Sequence, residues 1–69
     1  MNIEHITNSQ IKDAIDDYIH SERDRGILFD RYVNGYTFER ISEKYDMSTV
    51  QTKRIVYKQS EILSKVLFS

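Results

Sequence analysis

The stretch TFERISEKYDMSTVQTKRIVYK, residues 37–58, decides how this chain is read. Thr37 can cap a short helix in which Phe38, Ile41, Ser42 and Tyr45 fall on one face over barely two turns. Asp46-Met47 interrupts that pattern, and Ser48 followed by Gln51 is a capping box that opens a long final helix. Its buried side is expected to be Ile55, Val56, Ile62, Leu63, Val66 and Leu67. A short helix, about three linking residues and a capped longer helix make a helix-turn-helix pattern. Such a pair packs at roughly 90–120° and can present its second helix to a DNA major groove.

Working back from Thr37, Asn34-Gly35 supplies residues that tolerate positive φ and so closes a preceding helix. That helix runs through Ile27, Leu28, Phe29, Tyr32 and Val33, and Ser21 with Asp24 three residues on marks its start. Gly26 inside it costs about 1 kcal/mol relative to Ala, a local inconsistency that hints at a close packing contact. Further back, Ile11, Ala14, Ile15, Tyr18 and Ile19 form one helical stripe opposite Asp13, Asp16 and Asp17, with Asn8 or Ser9 as the cap. Residues 1–7 show no sustained period and read as a flexible arm, with Ile3 and Ile6 able to fold back as a latch. The expected architecture is therefore all-α, a bundle of about four helices forming one domain over residues 8–69.

Composition agrees with one small helical domain. The chain has 69 residues, of which 39% are hydrophobic, with five Tyr and three Phe, too apolar and aromatic for a disordered tail. A core of this size supplies about 3–5 kcal/mol, little to spare for a deep active site. The absence of Cys excludes disulfides, thiolate metal sites and thiol nucleophiles. No window reaches about 18 consecutive apolar residues, and MNIEHITNSQ lacks the features of a secretory signal. The expectation is a protein of the cytoplasm, with no membrane partner.

Charge is more informative by region than in total. The net charge is −1, yet residues 1–34 carry four basic and seven acidic side chains and residues 35–69 six and four. Residues 47–60 hold no acid at all. Within them Lys53, Arg54 and Tyr57 cluster with Val50 on a face opposite the Ile55–Ile62 stripe. Cations there would offset phosphate charge and release counterions, and Arg, Lys and Gln can hydrogen-bond purine edges. The helix N-terminus behind Ser48 also aims backbone N–H groups at a phosphate.

Residues 21–67 resemble region 4 of sigma-70-type transcription factors, and more closely the small region-4-like proteins of phages and prophages. The likeness is carried by Glu22-Arg23-Asp24-Arg25 with Leu28 and Arg31-Tyr32, by Gly35-Tyr36-Thr37 with Ile41, and by Met47-Ser48 with Lys53. It implies a helix-turn-helix whose last helix reads DNA, and earlier helices able to contact RNA polymerase. By position, Thr49, Val50, Lys53 and Arg54 would face bases and phosphates, and Thr37 would cap toward the backbone. Val50 could touch a thymine methyl. Three residues depart from the family pattern: Ser42 stands where a small Ala is usual, Asp46 where Gly is usual, and Thr52 where an apolar residue is usual. Ser is nearly as small as Ala and Asp can enter the left-handed region, so the fold should survive.

Other chemistry is poorly supported. His5 and His20 lack a third ligand nearby, so no metal is expected. No nucleophile elbow, phosphate loop or carboxylate pair stands in a recognisable context, so neither an enzyme nor a cofactor is expected. Tyr18, Tyr32, Tyr36 and Tyr45 read as packing residues, whereas Tyr57 lies on the basic face. Val66, Leu67 and Phe68 exceed what the core needs and leave room for a homodimer seam. The leading expectation is a sequence-specific DNA-binding transcriptional regulator of a phage or prophage, acting in a bacterial cytoplasm. Its candidate contacts with double-stranded DNA are Thr37, Ser48, Thr49, Val50, Gln51, Lys53, Arg54, Tyr57 and Lys58. The alternatives are a module that binds RNA polymerase or another host protein, and a phage packaging protein of the terminase small-subunit kind.

Overall fold

The computed structural model describes residues 6–68, and all of its regular structure is helical. In chain order the helices are α1 (Asn8–Tyr18), α2 (Glu22–Tyr32), α3 (Phe38–Tyr45) and α4 (Thr49–Phe68). The helices α2 and α4 pack on each other, with α1 against both on one side and α3 against both on the other. Their shared core is Ala14, Ile15, Ile19, Ile27, Leu28, Ile41, Val56 and Leu63. Burial of these aliphatic side chains, each worth about 1.5–3 kcal/mol when large, is the main favourable contribution to folding.

Local chemistry sets where each helix starts. Thr7, rather than the expected Asn8 or Ser9, caps α1: its hydroxyl accepts from the Gln10 N–H at 3.1 Å, and the Gln10 side chain returns to the Thr7 N–H at 2.8 Å. The deciding partner is Gln10, which can close the box only with the residue three before it. Ser21 caps α2 through the Asp24 N–H, and Thr37 caps α3 through the Arg40 N–H. The last turn of α1 contains no basic side chain, but Arg25 of α2 donates to the carbonyls of Ile19 at 2.9 Å and His20 at 3.2 Å. Residues 1–5 of the expected arm, including Ile3, lie outside the described residues.

Helix ends follow the two expected turns. Gly35 has φ +73, and beside it the Asn34 and Tyr36 N–H groups donate back to the carbonyls of Phe29 and Asp30. Asp46 stands at φ 54, ψ 54, and the following Met47 N–H donates to the Ser42 carbonyl at 3.0 Å. Asp therefore takes the left-handed position that glycine would fill more easily. Gly26 is explained by Tyr45: a Cβ at Gly26 would collide with the Tyr45 hydroxyl, so the end of the Tyr45 side chain rests against α2 only because this position has no side chain.

Three expected core residues sit further out than their period suggests. Tyr18 is 49% exposed and Ile62 38%, while Ile55 is half-buried at the edge of the core. In α4 the centre of the buried stripe is instead Thr52, Val56 and Leu63. Thr52, fully buried, meets Ser42: their hydroxyl oxygens lie 2.8 Å apart across the α3–α4 contact. The two hydroxyls thus satisfy each other, since each buried polar atom in the α3–α4 contact has the other as its partner.

Candidate nucleic-acid interface

The exposed face of α4 is fixed by what its other face buries. With Thr52 and Val56 pointing inward, Val50 is left 65% exposed and Tyr57 59%, and Gln51, Lys53, Arg54 and Lys58 are exposed as well. Thr49 is half-buried. At about 100° per residue these side chains fan into three rows. Val50, Arg54 and Tyr57 form the middle, Thr49 and Lys53 the side toward α3, and Gln51 and Lys58 the far side. Ser48 starts the helix, accepting from the Gln51 N–H at 3.1 Å. Thr37, also exposed, has its hydroxyl committed to the α3 cap.

Further residues join this face from earlier helices. The ring of Phe38 meets Tyr57 edge-on at 6.1 Å between centroids. Over the same ring lie Arg31, its guanidinium carbon 4.2 Å from the centroid, and Lys53, its ammonium 5.7 Å away. Arg31 also donates to the Tyr36 carbonyl at 2.9 Å, and the Tyr36 ring carries Arg40 at 4.1 Å. Arg31 and Lys53, from two different helices, thereby share the Phe38 ring, while Arg40 and Lys44 lie over the Tyr36 ring. Each exposed cation–ring contact contributes about 0.5–1 kcal/mol and reduces the side-chain freedom lost on binding an anion.

Other polar groups nearby are occupied elsewhere. Lys44 is bound at 2.8 Å to Asp30, a carboxylate only 3% exposed whose other oxygen accepts from Asn34 at 3.0 Å. The hydrogen bond to Asp30 raises the Lys44 pKa, while burial raises that of Tyr45. Gln59 turns away from the basic face and donates to Asp24 at 2.8 Å, tying α4 to α2. Glu39 and Glu43 are exposed on α3 and bound the basic surface on one side.

The structure therefore brings Val50, Lys53, Arg54 and Tyr57 together, with Gln51 and Lys58 on the adjoining flank. Sequence reasoning missed Arg31, Tyr36, Phe38 and Arg40. Charge had been read along α4 alone, and only the packing of α3 across α4 shows that Phe38 shares a surface with Lys53 and Tyr57. Among the described residues no group of His, Asp and Glu is placed to hold a metal ion, and no helix is long and apolar enough to cross a membrane. Comparison with protein-family models, curated proteins and solved structures gives no match for this chain.

Proposed function

We propose that this protein is a sequence-reading DNA-binding regulator of transcription, with α3 and α4 as a helix-turn-helix of the sigma-70 region 4 type. The observation that carries the reading is the placement of Arg31 and Lys53 over the one Phe38 ring, beside an exposed face of α4 that holds no acid over residues 49–60. In this arrangement Val50, Arg54 and Tyr57 face base edges in the major groove. Lys53 with Arg31 and Arg40 meets the phosphates of one strand, and Lys58 with Gln51 meets those of the other. The N–H groups behind Ser48 and Thr37 add donors at two helix starts. The phage or prophage setting rests on the resemblance noted above.

Fluorescence anisotropy with a randomised duplex pool, at several salt concentrations, tests this reading. Four phosphate-facing cations give a log–log salt slope of about −3.5 to −4. Lys53→Glu with Arg54→Glu abolishes binding while helicity is kept and stability falls by no more than the about 0.5–1 kcal/mol of the Lys53–Phe38 contact, because both side chains are exposed. Wild-type affinity in that double variant would refute it. A second reading, a module binding RNA polymerase or another host protein, is favoured by the acids exposed on α1, Asp13, Asp16 and Asp17. It predicts no duplex binding even at low salt. A packaging role of the terminase small-subunit kind predicts DNA binding without promoter preference.

A further inference from the structure

At the far end of α4 from the basic face, the chain carries an apolar cleft of about 340 Å³. Its walls are Ile6, Ile11, Tyr32, Leu63, Leu67 and Phe68, and two small residues one turn apart, Ser60 and Ser64, leave it shallow enough for another helix to approach. Tyr32 is 40% exposed and Phe68 41%, so two aromatic side chains stand at a cleft that the described residues leave open. Isolated exposed apolar residues are ordinary, but a projecting aromatic beside a cleft that can receive one is a surface complementary to itself.

We propose that this cleft is the interface of a two-fold homodimer, in which Phe68 of each copy enters the cleft of the other and the α4 helices pack antiparallel near Ser64. Charge supports a second copy as the occupant. Glu61 and Lys65 are exposed on the helix face beside Ser64 and Phe68, and among the described residues neither forms an ion pair within the chain. An antiparallel pair with its axis near residues 63–64 sets Glu61 of each copy beside Lys65 of the other, two equivalent attractions from one residue pair. A parallel or shifted pairing loses both. In that register Phe68 of one copy lies level with residues 58–59 of the other, so the contact reaches the C-terminal end of the basic face at Tyr57 and Lys58 and leaves Val50 and Arg54 clear.

Sedimentation velocity on the full chain without DNA tests the dimer independently of the proposed DNA reading. The wild-type mass is expected to rise from monomer to dimer between about 1 μM and about 1 mM. Phe68→Glu and Ser64→Glu each raise the dissociation constant at least about tenfold, with helicity checked by circular dichroism. Glu61→Lys weakens association, and Glu61→Lys combined with Lys65→Glu restores it to within about twofold, because the swapped charges again meet their opposites. A monomer mass throughout the range overturns the proposal, whether a small apolar ligand or solvent then fills the cleft. A dimer indifferent to Phe68→Glu and Ser64→Glu overturns the assigned surface. Failure of the charge swap to restore association overturns the antiparallel pairing.

Discussion

Removing the buried Ser42–Thr52 hydroxyl pair should be nearly harmless, although removing either hydroxyl alone should not. Three short oxygen contacts surround the pair: Ser42 to the Phe38 carbonyl at 2.6 Å, Thr52 to the Ser48 carbonyl at 2.9 Å, and the two hydroxyls at 2.8 Å. Two hydroxyls carry only two protons, so three hydrogen bonds cannot form at once. Either Thr52 donates to Ser42 and Ser42 to Phe38, or the chain runs the other way to Ser48. In Ser42→Ala or Thr52→Val the surviving hydroxyl still donates to its own helix carbonyl but loses its partner, a cost of about 1 kcal/mol. In the double variant both polar atoms leave the contact and two carbonyls keep their backbone donors, so the net change is within about 0.5 kcal/mol of zero. The coupling energy is then about 1.5–2.5 kcal/mol, measured by urea unfolding of all four proteins. Each single variant should lower the melting temperature by about 4–8 °C. Additive costs, with the double variant about 2 kcal/mol less stable than wild type, would refute the idea that the hydroxyls satisfy each other.

Two further predictions concern the α2–α3 contact. Gly26→Ala gains about 1 kcal/mol of helix propensity yet should be destabilising overall by about 1–3 kcal/mol, because the new methyl meets the Tyr45 hydroxyl. Adding Tyr45→Phe to that variant removes the colliding oxygen and should recover most of the loss in thermal melting; no recovery would mean that the ring itself blocks the site. Stability should also fall with rising pH in the alkaline range. Lys44 holds its proton more tightly when folded, and buried Tyr45 resists ionisation, so above the ordinary values of 10.5 and 10.0 the unfolded chain binds fewer protons than the folded one. The stabilisation is complete below those values and is lost as pH rises through the higher folded ones. Urea midpoints should decline there in the wild type and less steeply in Tyr45→Phe.

The helices were legible because their signals are local. The Ser21, Thr37 and Ser48 caps and the turns at Gly35 and Asp46 act within three or four residues, and each stands where the sequence suggested. Thr7 was missed because three hydroxyl or amide residues in a row compete for the cap, and the choice falls to the reach of one Gln10 side chain. Tyr18 and Ile62 fit the apolar period but fall at its margins, where the width of the neighbouring helix, not the period, decides burial. The α4 portion of the candidate surface was legible because its residues share one helix. Arg31 and Phe38 were not, since their approach to Lys53 depends on how α2 and α3 pack against α4.

Asp24 and Asp30 on α2 have a consequence for how uniquely this small bundle is assembled. Each is nearly buried, and each takes a donor from a different neighbouring helix, Gln59 of α4 and Lys44 of α3. A core of Ile, Leu and Val alone would tolerate a helix slipping by one turn, about 5.4 Å, because one branched aliphatic side chain replaces another at little loss. The same slip would strip a carboxylate oxygen of its donor, at about 1–3 kcal/mol for each. The two acids therefore act as keys whose neighbours fit only one alignment, and by fixing the roll of α4 about its own axis the Asp24–Gln59 pair determines which way Arg54 faces.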